Sequence, residues 1–138
     1  MAASIPIASF GNNSQVAQDI RTKLQPEYDV VHICLTLEAA LAELPLIFSG
    51  ALDTDPSSKL GSNAETAVAD RKVPLALIFG GGLPEDQIKA VKEAVLAKAP
   101  NAKPIVITRQ DIFDAGGKGP DPDLICRLLR EKLAASEL

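Results

Sequence analysis

The sequence contains no tryptophan, one histidine and two cysteines, and aromatic residues make up only 4% of its 138 positions. So few aromatic side chains leave little surface on which nucleic-acid bases could stack. The net charge is −4 and no stretch gathers lysines and arginines, so a polyanion would be repelled on average. No apolar run approaches the roughly 20 residues of a membrane span. We therefore expect neither a nucleic-acid partner nor a membrane partner.

The two cysteines, Cys34 and Cys126, lie far apart in the chain, and each sits within an apolar run. No CxxC motif and no cluster of histidines and cysteines accompanies them, so the sequence predicts no zinc site or other metal site. The amino-terminal residues lack the basic start and apolar core of a signal peptide. We expect two buried, reduced thiols in a cytoplasmic protein.

Short apolar segments alternate four times with segments of helical periodicity. The strand-like segments are 4–11, 28–36, 73–80 and 103–109, and the helix-like segments are 14–24, 37–48, 84–99 and 122–134. Because the strand-like segments are apolar throughout, both faces of their sheet should be covered. Right-handed crossovers then favour the strand order 2-1-3-4. The sequence predicts one domain over 1–138, a three-layer α/β/α fold of the Rossmann or flavodoxin kind.

Three features interrupt this alternation. Pro45 lies within the second helix-like segment and should bend or end it. Residues 49–72 are polar and rich in Ser, Gly, Ala and Asp, and we interpret them as a mobile insert. Residues 110–121 are interpreted as a long loop that Ile112 and Phe113 could hold against the body of the protein.

Ligands of open α/β sheets bind beyond the carboxyl ends of the strands, nearest the point where strand order reverses. In the order 2-1-3-4 this switch point lies between the first and third strands. The segments that follow the strands supply ten candidate ligand-binding residues: Gly11, Asn12, Asn13, Ser14, Thr36, Gly80, Gly81, Gly82, Thr108 and Arg109.

The three consecutive glycines, 80–82, resemble a phosphate-binding loop, but the following helix is unsuited to that role. It begins at Pro84, which has no N–H, and continues with Glu85 and Asp86, whose charges would repel a phosphate. We therefore interpret the glycines as a tight turn or a place of close approach. The loop 11–14 precedes a helix without proline or acid in its first turn, and it is the better site for a small anionic ligand. In the alternative interpretation, Asn12 or Ser14 is a helix N-cap.

Cofactor signatures are incomplete. The dinucleotide fingerprint requires three spaced glycines after the first strand and an acid after the second, whereas this chain has Gly11 and Thr36 there. The stretch GNNSQVA is similar to the phosphate loop of flavodoxins, which has Gly-Asn-Thr before a similar helix, but the aromatic residues that would enclose a flavin are absent. No cofactor is predicted, and FMN or a nucleotide is the alternative.

Catalytic groups are scarce. His32 lies in the middle of a strand, where a buried, hydrogen-bonded histidine is expected rather than a catalytic one. No Gly-x-Ser-x-Gly motif supplies a nucleophile. Arg109 and Asp111 could bind a polar ligand or form a surface ion pair. We predict no catalytic residue.

The stretches PEYDVVH, CLTLEAALAELP and KPIVITR, in their order along the chain, resemble short Rossmann-like proteins of fungi. This resemblance covers most of the chain and is weakest in 49–72. It implies the fold and assigns neither an activity nor site residues.

Three functional hypotheses remain open. The first is a non-catalytic ligand-binding or interaction module on a degenerate Rossmann-like scaffold, because no acid, base and nucleophile converge. The second is a flavin- or nucleotide-dependent enzyme whose fingerprint has drifted, and the third is a structural homo-oligomer. We also predict a homodimer through 28–48, where the second strand has an unprotected edge and the following helix adds apolar surface: Leu44, Leu46, Ile47 and Phe48. In the alternative interpretation, the insert 49–72 folds over this surface and the protein is monomeric.

Overall fold

The structure is a computed structural model that describes residues 4–80, 83–117 and 121–136, so Gly81 and Gly82 of the predicted site lie outside the described residues. The strands are β1 (Ile5–Phe10), β2 (Tyr28–Cys34), β3 (Ala76–Phe79) and β4 (Lys103–Val106). The α-helices are α1 (Ser14–Leu24), α2 (Leu37–Phe48), α3 (Glu85–Lys98), α4 (Arg109–Asp114) and α5 (Pro122–Ala135). Two 3-10 turns, Ser62–Glu65 and Val68–Asp70, lie between α2 and β3.

The strands form one parallel sheet in the order β2-β1-β3-β4. This order confirms the predicted topology, and helices on both faces confirm the predicted α/β class. The arrangement is consistent with a Rossmann- or flavodoxin-like fold. It places the switch point between β1 and β3, as the alternation of elements predicts.

Two hydrophobic clusters fill the space between the sheet and its helices. On one face, α1 and α5 cover a cluster that includes Ile7, Val30 and Ile78. On the other face, α2 and α3 cover a cluster that includes Phe10, Leu77 and Phe79. Both cysteines are free and buried, as predicted, and they belong to opposite faces of the sheet: Cys34 to the α2 side and Cys126 to the α5 side.

Helix α2 differs from expectation in two respects. It spans the predicted segment 37–48 and continues through Pro45, so of the two expectations for the proline, a bend or an end, the end does not occur. Three of the four apolar residues expected to add exposed surface are buried instead, namely Leu44, Ile47 and Phe48, because α2 packs them against the sheet and α3. Leu46 remains exposed.

The segment interpreted as a loop over 110–121 begins with helix α4. Thr108 caps this helix by accepting a hydrogen bond from the Asp111 amide, and the Asp111 carboxylate accepts one from the Thr108 amide. The pattern Thr-x-x-Asp over 108–111 is a sequence signature of this reciprocal cap, which the interpretation of 110–121 as a loop did not use. Ile112 is buried, as expected, but Phe113 is exposed.

A β-bulge in β2 decides which side chains face which layer. Ile7 of β1 pairs with Val30, but the next residue of β1, Ala8, pairs with His32, so Val31 is the extra residue. A bulge shifts the alternation of side chains by one position. Consequently Val30 and Ile33 both face the α1 side, whereas Cys34 faces α2.

Residues 57–61, which we call the edge strap, lie along the outer edge of β2. The Ile33 amide donates to the Leu60 carbonyl (3.3 Å), and the Ser58 hydroxyl donates to the Ile33 carbonyl. Gly61 has φ +107° and lies so close to the bulge that a Cβ there would be 2.4 Å from the Val31 carbonyl oxygen. The edge strap therefore covers the edge that appeared unprotected in the sequence.

The remainder of 49–72 is also hydrogen-bonded. Asn63 is buried, and its side chain bonds both the amide and the carbonyl of Lys72 (3.2 and 3.1 Å). Arg71 donates to the carbonyls of Leu52 and Thr66 and pairs with Asp55. The sequence did not indicate these contacts, and mobility of the segment in solution stays a prediction.

None of the helices in the described residues has both the length and the apolar character that a membrane span requires.

Two glycine substitutions test whether the edge strap packs on β2 in solution. Gly50 and Gly61 have similar positive φ values, +101° and +107°, but only Gly61 lies against other backbone. Gly50→Ala should lower the free energy of unfolding by about 1–2 kcal/mol because of the left-handed conformation alone. Gly61→Ala should cost at least about 1 kcal/mol more, because the new methyl group collides with the Val31 carbonyl. Urea unfolding measures both, and equal costs would indicate that the strap does not occupy this position.

Candidate functional site

The glycines at the switch point bring two backbone segments together. Gly11 follows β1 and donates its amide to the Cys34 carbonyl (3.1 Å), and Gly80 follows β3 and donates its amide to the Phe10 carbonyl (2.9 Å). A Cβ on Gly80 would lie 3.4 Å from the Gly11 Cα, whereas a Cβ on Gly11 would meet open space. Both amides extend the sheet's hydrogen bonding, so neither is available to an anion.

The loop after β1 presents polar groups to solvent. Asn12, Asn13 and Ser14 are exposed, and the Asn13 side chain caps α1 by accepting from the Val16 amide (3.1 Å). The first amides of a helix have no acceptor within the helix, which leaves those of Ser14 and Gln15 directed beyond its N-terminus. No acid occupies this first turn. The cap is Asn13, rather than Asn12 or Ser14 as the alternative interpretation held.

Two other candidate residues are also helix caps. Thr36 follows β2 and accepts from the Ala39 amide at the start of α2 (3.1 Å), and Thr108 caps α4. Arg109 is the first residue of α4. Asp111 directs its carboxylate at the Thr108 amide, and that hydrogen bond lowers the pKa of Asp111 below its usual value, with Lys132 adding to the effect. The carboxylate of Asp111 is therefore part of the α4 cap, where it accepts the hydrogen bond from the Thr108 amide.

A surface groove lies between residues 115–117 and the first turns of α5. Asp121 and Asp123 supply two acids to its wall and Arg127 one base. Asp121 caps α5, and Asp123 pairs with Lys23. None of the candidate residues that the structure describes lines this groove, so the predicted rim and the groove are separate features.

The structure also assembles a buried polar cluster that the sequence did not predict. His32 and Cys34 lie two residues apart on β2, and Glu43 lies on the facing side of α2; we call these three the His–Cys–Glu cluster. The exposed fractions are 0% for His32, 0% for Cys34 and 9% for Glu43. Burial of His32 confirms its interpretation as a buried, hydrogen-bonded histidine.

Glu43 is the centre of this cluster. Its Oε1 lies 2.8 Å from His32 Nε2 and 3.8 Å from Cys34 Sγ, and it accepts from the Ser57 amide of the edge strap at 3.1 Å. His32 Nδ1 is buried without a hydrogen-bond partner among the described residues. Such orphaned buried nitrogens are uncommon in folded proteins.

Burial determines the protonation of the two groups on β2. It lowers the pKa of the His32 imidazole, and the hydrogen bond to Glu43 opposes this effect only in part. Burial also raises the pKa of the Cys34 thiol, and the Glu43 carboxyl raises it further. Burial therefore favours the neutral forms of both the imidazole and the thiol.

One signal in the sequence could have revealed the cluster. Glu43 lies on the buried stripe of α2, three residues after Ala40 and four before Ile47. An acid on an apolar stripe must find a buried partner. His32 and Cys34 share one face of the preceding strand and are the nearest polar residues that could supply one.

The chain has a distant relative among known proteins. The chain is 30% identical over 109 residues to "Kojic acid related protein 6" of Aspergillus oryzae. These residues cover 79% of this chain and 60% of the relative, so the chain spans well under two thirds of the relative's length. The relative is fungal, which agrees with the fungal resemblance of the sequence. No protein-family model and no solved structure matches the chain.

Truncating Glu43 tests how much the His–Cys–Glu cluster contributes to the free energy of unfolding. Glu43→Ala leaves His32 and the Ser57 amide without their acceptor, and each buried unsatisfied group costs about 1–3 kcal/mol. We expect a loss of about 2–5 kcal/mol in urea unfolding, with faster hydrogen exchange across residues 57–61. The control is Glu38→Ala on the exposed side of the same helix, which should cost under about 1 kcal/mol. Similar losses in the two variants would contradict a central role for Glu43.

Proposed function

We propose that this chain is a non-catalytic binding module on a degenerate Rossmann-like scaffold, and that it takes a small anionic ligand at the loop 11–14. The observation that carries the proposal is the pair of free amides, those of Ser14 and Gln15, at a helix N-terminus beside the switch point. The helix dipole and these N–H groups favour a negative charge. The surrounding side chains, Asn12 and Asn13, add neutral hydrogen-bonding groups.

The contrast with α3 supports this choice of loop. Helix α3 also starts at the carboxyl end of the sheet, but its first turn carries Glu85 and Asp86, which already complement the dipole. A ligand phosphate or carboxylate would meet two negative charges there. Helix α1 has no such acids in its first turn. Of the two helices that flank the switch point, α1 is therefore the one suited to an anion.

We propose a binding role rather than a catalytic one because the polar side chains near the rim cap helices or are buried. Thr36 and Thr108 act as caps, and Asp111 completes the cap of α4. His32 and Cys34 are fully buried on β2. Within the described ranges, no acid, base and nucleophile meet at the rim, which favours a binding role over an enzymatic one. A cytoplasmic location remains part of this proposal.

Placing a charge at α1 tests the proposal. Ser14→Glu should weaken binding of inorganic phosphate at least about fivefold, because like charges about 4 Å apart in water repel by about 1 kcal/mol. The fold should survive, since an acid in the first turn suits the helix dipole. Chemical shifts of the amides at 11–15 during phosphate titration measure the binding. The name of the fungal relative makes kojic acid a second compound to titrate.

The matched control is Gln18→Glu, which adds the same charge to an exposed position one turn further along α1. It should leave phosphate binding within about twofold of the unmodified chain, given screening by solvent and salt. Binding that is absent in the unmodified chain, or equally weak in both variants, would count against the loop 11–14 as the site.

Self-association through 28–48 is a second proposal, and two exposed leucines of α2 favour it. Leu41 and Leu46 are 41% and 43% exposed, whereas the edge of β2 is covered by the edge strap. We therefore place the contact on α2 rather than on strand pairing. Exposed apolar side chains are common on monomers, so the oligomeric state must be measured directly.

Light scattering after size exclusion should give the mass of two chains at micromolar concentration. The double substitution Leu41→Glu and Leu46→Glu should reduce it to the mass of one chain, because two carboxylates on each chain would have to be desolvated in the dimer. Leu75→Glu is the control, since Leu75 is equally exposed but lies outside 28–48. The mass of a single chain for the unmodified protein would refute the dimer.

A further inference from the structure

We propose that His32, Cys34 and Glu43 form a zinc-binding site closed by the edge strap. One imidazole nitrogen, the Cys34 sulfur and a Glu43 carboxyl oxygen lie within 4.8 Å of one another, and all three residues are buried. This site is distinct from the loop 11–14. The sequence predicts no metal site, but that prediction considered only the spacing of histidines and cysteines along the chain.

The chemistry of the three groups suits zinc. Zn²⁺ is borderline soft and binds thiolate sulfur, imidazole nitrogen and carboxylate oxygen, whereas Mg²⁺ and Ca²⁺ prefer sites made of oxygen alone. Three protein ligands leave a fourth position of a tetrahedral site for water or another small molecule. A mixed set of sulfur, nitrogen and oxygen ligands therefore points to zinc rather than to an alkaline-earth ion.

The distances are close to those of a zinc site. Zinc–ligand bonds of about 2.0–2.3 Å in tetrahedral geometry separate neighbouring ligand atoms by about 3.3–3.7 Å. Here Glu43 Oε1 lies 2.8 Å from His32 Nε2 and 3.8 Å from Cys34 Sγ. The imidazole nitrogen and the Cys34 sulfur lie within 4.8 Å of one another, so their separation would have to shorten by up to about 1.3 Å to reach the tetrahedral value. Side-chain rotation alone can supply shifts of that size.

The fold holds the three ligands on rigid elements. The bulge at Val31 turns Cys34 towards α2, and His32, two residues earlier on the strand, meets Glu43 on that helix. The Ser57 amide, which donates to Glu43, would orient the carboxylate as partners of metal ligands commonly do. A site built on a strand and a helix loses little conformational entropy when the ion binds.

The tautomer of His32 decides whether Nε2 can bind an ion. Nδ1 is buried without a hydrogen-bond partner among the described residues, so it would carry the imidazole proton without a protein acceptor when Nε2 binds zinc. Because no described group fixes the proton of Nδ1, the imidazole can move its proton from Nε2 to Nδ1 without breaking another protein hydrogen bond. Zinc then takes the Nε2 lone pair, and Cys34 releases its thiol proton to solvent.

Cobalt titration tests the site, since Co²⁺ replaces Zn²⁺ and reports a sulfur ligand by its colour. The full chain, first treated with a chelator and a reductant, should bind one equivalent of Co²⁺ with a thiolate-to-cobalt charge-transfer band. Zn²⁺ should displace the cobalt and remove the band. Added Zn²⁺ should also raise the melting temperature, because the ion binds the folded chain.

Two cysteine substitutions form a matched pair, because both cysteines are buried and free. Cys34→Ser should abolish the charge-transfer band, whereas Cys126→Ser, on the opposite face of the sheet, should retain it. Glu43→Gln keeps an acceptor for His32 and should weaken Zn²⁺ binding more than about tenfold. Circular dichroism confirms that each variant is folded before its titration is interpreted.

Three results would overturn the site. They are the absence of a charge-transfer band in the unmodified chain, its persistence in folded Cys34→Ser, and its equal loss in folded Cys126→Ser. Cobalt binding without the band would indicate adventitious binding to surface carboxylates, and it would also refute the proposal. Phosphate binding at the loop 11–14 is measured separately, so failure of one site leaves the other to be judged independently.

Discussion

One oxygen atom of a buried carboxyl group joins three parts of the chain that are separate in the sequence. Glu43 Oε1 is hydrogen-bonded to His32 on β2 and accepts from the Ser57 amide of the edge strap, while Glu43 itself belongs to α2. A carboxyl group in this position is stable only if its acceptors are satisfied. The strap, the edge strand and the helix that covers it are therefore linked by one carboxyl oxygen, in addition to the strap's own hydrogen bonds to Ile33.

The bulge at Val31 makes that contact possible. If β2 alternated regularly from Val30, His32 would share the α1 side of the sheet with Val30, and Glu43 would face an apolar strand. The additional residue turns Cys34 towards α2 and leaves a backbone surface against which Gly61 packs. Bulges commonly redirect side chains near functional sites. This one links the edge strap and the His–Cys–Glu cluster to a single local irregularity.

At the other candidate site, hydrogen bonds already formed decide what remains for a ligand. The amides of Gly11 and Gly80 extend the sheet, and Thr36 and Thr108 cap helices. A polar residue at the carboxyl edge of a sheet is thus often required to begin the next helix. Among the described residues of this rim, the first turn of α1 combines amides directed beyond the helix with no acidic side chain, and the proposed anion site depends on it. The two proposed sites differ accordingly, since one uses exposed backbone and the other buried side chains.

The sequence by itself determined the fold class, the strand order and nearly all the helices, because apolar periodicity and chain alternation are local properties with few compatible topologies. The bounds of α1 and α2 agree with their predicted segments. It also determined that His32 is buried. The course of residues 57–61 and the meeting of His32 with Glu43 were decided by the tertiary structure alone, whereas the cap at Thr108 has a local Thr-x-x-Asp signature. The physical reason is that a one-residue bulge, a positive φ at Gly61 and hydrogen bonds between distant segments leave no periodic trace in composition.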